Sequence, residues 1–213
     1  MGAGFVILMY LIAIFVVSAV LALVAIVITS IVAKPPKRRK IVAAALSPFV
    51  FFYGWFFMGL FATGAVSGWK NVDIGIGDAW YVPINDEYSM LMIDLTEEAY
   101  IQRNGEDILT VRQIQQVDDV LIGQNTDGWY FSLNLHGHKL KLYQSREELL
   151  SARKGFEVAL DDVAAFYTKR KREILGIWMV IVPAATFLLS AAATFLFARL
   201  ITYGSFLSRR RTY

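Results

Sequence analysis

The sequence predicts an α+β membrane protein in which three transmembrane helices carry one extramembrane domain, mainly antiparallel β. Three observations lead to this prediction. Of the 213 residues, 56% are hydrophobic, more than is usual for a soluble chain of this size. Three long segments carry no charge, and all 18 acidic residues lie between Lys70 and Glu173. We expect a two-helix transmembrane hairpin at 1–69, the extramembrane domain at 70–173, and a third transmembrane helix with a short tail at 174–213.

Each uncharged segment is long enough to cross a lipid bilayer. No charged residue occurs in 1–33 or in 41–69, and the third run covers the 25 residues of 174–198. About 20 apolar residues span a hydrocarbon core of about 30 Å. The first segment is roughly twice as long as the apolar part of a signal peptide and lacks basic residues before it, so we expect it to remain as an anchor.

Basic residues beside these segments predict the orientation of the chain. The loop 34–40 and the segment 199–213 together contain nine basic residues and no acidic residue. Since cytoplasmic loops are enriched in Lys and Arg, we expect both to be cytoplasmic, with the N-terminus and a periplasmic 70–173 domain across the inner membrane. Five cations, Lys70 and the run 169–172, favour the opposite orientation more weakly. The orientation-setting residues are Lys34, Lys37, Arg38, Arg39, Lys40, Arg209, Arg210 and Arg211.

The first part of the extramembrane domain, 79–143, is predicted to be β-rich. Short stretches with alternating apolar and polar residues are separated by Asn-Gly and Asp-Gly pairs, which favour turns. From Trp129 to Leu135 the alternation is clearest, and Leu140 and Leu142 are expected to continue the buried apolar face. Candidate strands are 79–84, 88–95, 99–102, 107–114, 116–122, 129–135 and 139–143. This spacing predicts an antiparallel meander, a small sandwich or a partly open barrel.

The second part of this domain, 146–173, is predicted to be helical. Ser145 and Glu148 form a capping-box pattern at its start. Further on, apolar residues recur at helical spacing, with acidic residues opposite them, which is typical of an amphipathic helix. We expect this helix to run continuously, or nearly so, into the third transmembrane segment. The apolar residues are Phe156, Ala159, Leu160, Val163, Phe166 and Tyr167.

Small residues in the second and third transmembrane segments predict helix packing. Small side chains let helix backbones approach closely, which favours association in lipid. Eight aromatic residues also lie within the 13 residues of 49–61. Two interpretations stay open: the three helices pack on one another and on lipid, or one face binds a partner protein. The helix-packing residues are Gly64, Gly68, Ala184, Ser190, Ala191, Thr194 and Ala198.

The sequence offers little that indicates catalysis or transport. No ionisable residue lies inside a predicted span, whereas ion and proton paths usually retain one. His136 and His138 flank a glycine in a turn, and two histidines without a third ligand do not make a metal site. The glycine-containing segment from Asp73 to Asp78 is interpreted as a turn, not as a calcium loop. Cysteine, phosphate-binding loops and dinucleotide fingerprints are all missing from the sequence. We therefore expect no enzyme activity, cofactor, metal or nucleic-acid partner.

Two functional hypotheses from different classes remain. The first is a non-enzymatic accessory or structural subunit of a larger membrane complex, which binds partners through its helices and its outer β domain. The second is a stand-alone immunity protein or envelope sensor, whose outer domain binds a toxin or ligand. The expected partners are membrane lipid, other membrane proteins and a soluble extracytoplasmic partner. A small outer domain, semi-rigidly joined to a helix, favours the first hypothesis.

Overall fold

The structure is a computed structural model that describes residues 2–35, 37–152 and 158–204. Its contacts divide the chain into two compact units. The helical unit contains the described residues up to Val66 and from Ile177 onward, and the β unit extends from Ser67 to Gly176. The predicted tail cations Arg209, Arg210 and Arg211 and the predicted helix residue Phe156 lie outside the described residues.

Five helices and eight strands form the described chain. Their order is α1 (Ala3–Val32), α2 (Lys37–Lys70), β1 (Ala79–Pro83), β2 (Tyr88–Ile93), β3 (Ala99–Arg103), β4 (Glu106–Val117), β5 (Val120–Asn125), β6 (Tyr130–Asn134), β7 (Lys139–Tyr143), α3 (Arg146–Ala152), β8 (Asp161–Asp162), α4 (Val163–Leu175) and α5 (Trp178–Tyr203). The predicted α+β class is confirmed. Three of the helices, α1, α2 and α5, are long and apolar enough to cross a membrane.

In the helical unit, α2 is hydrogen-bonded to both other helices through its backbone carbonyls and one tyrosine. The Ser190 hydroxyl of α5 donates to the Phe51 carbonyl oxygen at 2.6 Å. On the α1 side, the Tyr53 hydroxyl donates to the Leu11 carbonyl oxygen at 3.2 Å. Ser190 is fully buried, so its bond to α2 is shielded from the surroundings. Most apolar side chains of the three helices are nevertheless exposed, because three helices cover only part of one another.

The β unit is an antiparallel meander, which confirms the first of the three predicted sheet architectures. Strands β1 to β7 pair in sequence order, and every neighbouring pair is antiparallel. The long strand β4 pairs with β3 up to Val111 and with β5 from Val111 onward. The two-residue strand β8 pairs with β4 at Gln113 and Ile114.

The predicted break between the fourth and fifth strands was placed too early. The sequence suggested strands at 107–114 and 116–122, whereas β4 continues to Val117 and β5 begins at Val120. The turn lies at Asp118, which has a positive φ of 50°. Asp is one of the few residues that adopt this conformation readily, so the Asp118-Asp119 pair was the turn-forming sequence that the prediction missed.

The prediction that Leu140 and Leu142 are buried is wrong. They pair across the sheet with Leu133 and Phe131, which are buried, and so they lie on the same face. Their own exposures are 37% and 50%. Because β7 is the last strand of the meander, none of the described elements covers its outer side. Strand alternation correctly predicts the face of the sheet on which a side chain lies, but it does not predict whether its strand is at the edge of the sheet.

The prediction of a single helix over 146–173 is also wrong, and the junction with the third apolar segment, expected to be continuous or nearly so, contains a short break. Helix α3 ends at Ala152, a short strand follows at Asp161, and α4 begins only at Val163. The second break is at Gly176, whose φ of 50° and ψ of −128° are not helical. Only glycine adopts such a conformation easily, so this residue ends α4 before α5 begins.

Two apolar clusters stabilise the β unit. The larger lies between one face of the sheet and α4, and its members include Val163 and Phe166 of α4 and Phe131 of β6. These two α4 residues confirm the predicted apolar face of that helix. The smaller cluster lies on the other face, where Leu149 of α3 packs with Ile122. Half of the predicted capping box is present: the Glu148 N–H donates to Ser145 Oγ, but the Glu148 carboxylate accepts from the Gln144 N–H and not from that of Ser145.

Gly123 of β5 provides a sharp test of this packing. A Cβ atom added there would lie 2.1 Å from the Gln113 carbonyl oxygen and 2.7 Å from the buried Phe131 ring. Neither group can move freely, so Gly123→Ala should lower the free energy of unfolding by about 3 kcal/mol. Denaturant unfolding of the full chain in detergent measures this change.

Gly137→Ala is the matched control. Its added Cβ would meet only the Asn134 side chain, at 3.2 Å, and that side chain can shift. We expect a loss below about 1 kcal/mol. Equal losses for the two variants would contradict the close packing described at Gly123.

Candidate functional site

Among the described residues of the β unit, the carboxylate of Asp73, in the segment between α2 and β1, accepts hydrogen bonds from four donors. Its Oδ1 atom accepts hydrogen bonds from the Tyr167 hydroxyl at 2.6 Å and the Tyr81 N–H at 3.2 Å. Its Oδ2 atom accepts from the Lys171 ammonium at 3.1 Å and from the Gly75 N–H. We call Asp73, Gly75, Tyr81, Tyr167 and Lys171 the Asp73 cluster.

Local structure explains how α4 supplies two donors to the Asp73 cluster. Tyr167 and Lys171 are four residues apart and therefore lie on one face of the helix. The Lys171 ammonium also donates to the Tyr167 hydroxyl oxygen, at 2.7 Å. Opposite them, Gly75 has a positive φ of 78°, and a Cβ there would lie 3.2 Å from Lys171 Nζ. Glycine thus permits both the turn and the close approach of the lysine.

Burial determines the electrostatics of the Asp73 cluster. The side chains of Lys171 and Asp73 are only 17% and 12% exposed, so their ion pair is largely withdrawn from water. Burial raises the pKa of Tyr167 well above its usual range, and the hydrogen bond to Asp73 and the charge of Asp73 raise it further. The phenol therefore stays protonated at neutral pH and donates to the carboxylate. This arrangement orients and fastens chain segments; it does not generate a phenolate nucleophile.

Arg170 makes a second attachment between α4 and β1. Its guanidinium donates to the carbonyl oxygens of Pro83 at 3.2 Å and Ile84 at 2.6 Å. It also lies 3.4 Å from the Glu173 carboxylate. The basic run 169–172 was interpreted from sequence as a flank of a membrane helix. Two of its four cations, Arg170 and Lys171, instead bond to groups of the β unit.

Two open clefts lie beside α4 within the β unit. One, of about 510 Å³, is lined by polar residues that include Lys70, Asn85, Glu87 and Arg170. The other, of about 520 Å³, is lined mainly by residues of β4, β8 and α4, among them Gln115, Asp161, Lys169 and Glu173. Both clefts carry charges of both signs, which suits a polar or zwitterionic group better than a purely anionic one.

The two histidines of the β6–β7 turn are directed to different partners. His138 Nδ1 lies 3.1 Å from the Tyr88 hydroxyl, while His136 Nδ1 lies 3.6 Å from Asp119 Oδ1. Within residues 2–35, 37–152 and 158–204, no three His, Cys, Asp or Glu side chains are grouped as metal ligands.

The predicted helix-packing residues are placed very differently from one another. Ser190 is buried against α2, where a Cβ added at Gly54 would lie 2.9 Å from its hydroxyl. Ala191, Thr194 and Ala198 line an apolar groove of about 480 Å³ within the helical unit, together with Leu21, Ala25, Ala44, Pro48 and Phe51. Ala184 is exposed, and positions 64 and 68 have open space where a Cβ would stand. Gly54, a lone glycine among aromatic residues, was the packing residue that sequence spacing missed.

The predicted orientation residues lie at the start of α2. Lys37, Arg38, Arg39 and Lys40 form its first turn, and Lys34 precedes it. The Lys40 ammonium donates to the Lys34 carbonyl oxygen at 3.0 Å.

No protein-family model matches this sequence, and no curated protein or solved structure is significantly similar to it. Any functional conclusion therefore depends on the chemistry of the chain itself.

Lys171→Met tests the contribution of the Asp73 cluster to stability. The substitution keeps most of the side-chain volume but leaves the Asp73 carboxylate without its counter-charge. We expect the free energy of unfolding of the full chain in detergent to fall by about 3 kcal/mol, because a buried charge that loses its partner is costly. In a double-mutant cycle, Asp73→Asn should recover part of this loss.

Arg112→Met is the control for that measurement. Arg112 forms an ion pair with Glu98 at 2.9 Å, but its side chain is 58% exposed. Exposed pairs contribute at most about 1 kcal/mol. If the two substitutions cost the same, the Asp73 cluster does not have the structural role assigned to it.

Proposed function

We propose that this chain is an integral membrane protein whose helices α1, α2 and α5 cross the bilayer. The support is physical: these helices expose long rows of Leu, Ile, Val and Phe side chains that the helical unit itself does not cover. Apolar surface of that extent is favourable in lipid and costly in water. An α-helix pairs most of its backbone groups internally, as lipid requires.

The proposed location is the cytoplasmic membrane, with the β unit outside the cytoplasm and the loop 34–40 inside. The sequence contains nine cations for this orientation and five against it. The structure weakens the opposing group, since Arg170 and Lys171 are held by Pro83, Ile84 and Asp73. Their presence is explained by these bonds, whereas Lys37 and Arg38 lie exposed beside an apolar segment.

The function that the geometry supports best is that of a non-enzymatic accessory or structural subunit of a larger membrane complex. One observation carries this proposal: the apolar groove lined by α1, α2 and α5, whose α5 side consists largely of small residues. In lipid, helices associate through such close-packed small-residue faces. The Asp73 cluster is consistent with this role, because its groups bond to one another and so stiffen the domain.

An envelope sensor or immunity protein is the second candidate. The two mixed-charge clefts beside α4 favour it, because each has the size of a small-ligand site. This candidate requires the β unit to bind a ligand or toxin in the absence of any membrane partner.

Mild-detergent extraction of the tagged full chain tests the subunit proposal. We expect it to co-migrate with a large assembly whose other members mass spectrometry identifies. Ala191→Phe should reduce the co-purified partner at least about fivefold, because its side chain fills the groove. Ala192→Phe, at an exposed neighbouring position, is the control and should have little effect. A wild-type chain that stays monomeric in mild detergent and in nanodiscs would contradict the proposal.

Protease treatment of right-side-out vesicles tests the proposed orientation. Protease added outside should cleave within the β unit, whereas the loop 34–40 should become accessible only after lysis. Trypsin suits the experiment because Lys and Arg occur on both sides of the apolar segments. Protection of the β unit until lysis would reverse the orientation.

A further inference from the structure

The two edge strands of the β-sheet differ in whether their outward backbone groups have hydrogen-bond partners. At the β1 edge, the Tyr81 N–H donates to Asp73 Oδ1 and its carbonyl oxygen accepts from the Asp73 N–H, both at 3.2 Å. Pro83 has no N–H, and its carbonyl oxygen accepts from Arg170. At Tyr81 and Pro83, the backbone groups that another strand would need are therefore occupied or missing, as is typical of a protected edge.

The backbone groups at the β7 edge are directed outward. Hydrogen bonds of an antiparallel strand alternate between its two neighbours. The Leu135 N–H donates to the Asp119 carbonyl oxygen. Because the register of β5 and β6 is continuous with this pair, the N–H and C=O groups of the odd-numbered β6 residues point toward β5. Leu140 and Leu142 are the cross-strand partners of odd-numbered β6 residues. Their own N–H and C=O groups therefore point away from β6, and in the described part of the chain they have no hydrogen-bond partner.

The side chains of β7 present a distinct pattern beside these backbone groups. Leu140 and Leu142 are exposed on the face shared with the larger apolar cluster. Lys139 and Lys141 are exposed on the opposite face. Neither lysine has a carboxylate within ion-pair distance among the residues that the structure describes. An added strand would thus meet apolar groups on one face and two cations on the other.

We propose that β7 binds an extended, acidic segment of a partner protein by strand addition. The backbone groups of Leu140 and Leu142 pair with the segment, its apolar residues pack beside these leucines, and its carboxylates lie opposite Lys139 and Lys141. Strand addition uses backbone bonds for affinity and alternate side chains for specificity. This inference rests on the proposed subunit function and assigns one surface of the β unit to it.

Charge disfavours a second copy of the chain as the occupant. In the antiparallel registers that place Leu140 opposite Leu140 or Leu142 of the other copy, Lys141 lies opposite Lys139 or Lys141 of that copy. Like charges directly opposite each other destabilise a sheet. A register shifted by one residue instead places leucines among lysines. An acidic strand avoids both problems.

A peptide of alternating valine and glutamate tests the proposal on the full chain in nanodiscs. We expect saturable binding by fluorescence anisotropy, and at least about tenfold weaker binding of a valine–lysine peptide. Leu140→Pro should weaken binding of the glutamate peptide at least about tenfold, since it removes an outward N–H that the sheet itself does not use. Leu140→Thr retains this N–H and is the matched control.

A charge variant keeps the test valid if the proline substitution disturbs folding. Lys139→Glu with Lys141→Glu leaves the backbone unchanged and should reverse the preference between the two peptides. The proposal is overturned if neither peptide binds, if both bind equally, or if both variants bind like wild type. A concentration-dependent dimer that Leu140→Pro abolishes would overturn it in favour of self-association. If Leu140→Pro still co-migrates with the membrane assembly, the edge assignment fails while the subunit function stands.

Discussion

The carboxylate of Asp73 connects the two ends of the β unit. The Asp73–Lys171 pair joins residues 98 positions apart, one just after α2 and the other near the end of α4. Closing a loop of this length has an entropic cost, which several hydrogen bonds at one carboxylate help to offset. Its four donors satisfy the carboxylate, which is the condition under which a buried ion pair is tolerated. This attachment holds α4 on the sheet together with Val163 and Phe166, which α4 contributes to the larger apolar cluster.

The same attachment determines which edge of the sheet is protected. Asp73 bonds to both backbone groups of Tyr81 and to Lys171 of α4, and Arg170, which directly precedes Lys171, bonds to Pro83. The same group of residues therefore attaches α4 to the sheet and protects the β1 edge. No equivalent element covers β7 within the described residues, because the chain leaves β7 through α3, which packs on a face of the sheet and not along its edge.

Sequence periodicity predicted the elements of this chain better than their contacts. Alternation around Phe131 identified strands and their buried face, and uncharged length identified the three apolar helices. It did not reveal that β7 is an edge, because exposure of Leu142 depends on strand order. Glycine is a residue type that often ends a helix, but Gly176 lies within an apolar run. Glycine is tolerated in such a run, so Gly176 alone did not predict a break. The pairing of Asp73 with Lys171 was beyond local reasoning, since only the fold brings distant residues together.

The contrast between the basic groups of the chain shows what structure adds to a charge count. Lys37 and Arg38 stand exposed next to an apolar segment, so bilayer orientation is the simplest account of them. Arg170 and Lys171 stand next to another apolar segment but are bonded within the β unit. Lys139 and Lys141 belong to neither group, because they lie on a strand edge, far from the apolar segments in sequence. Each set of cations thus has its own physical reason, and a net charge of +3 averages over all of them.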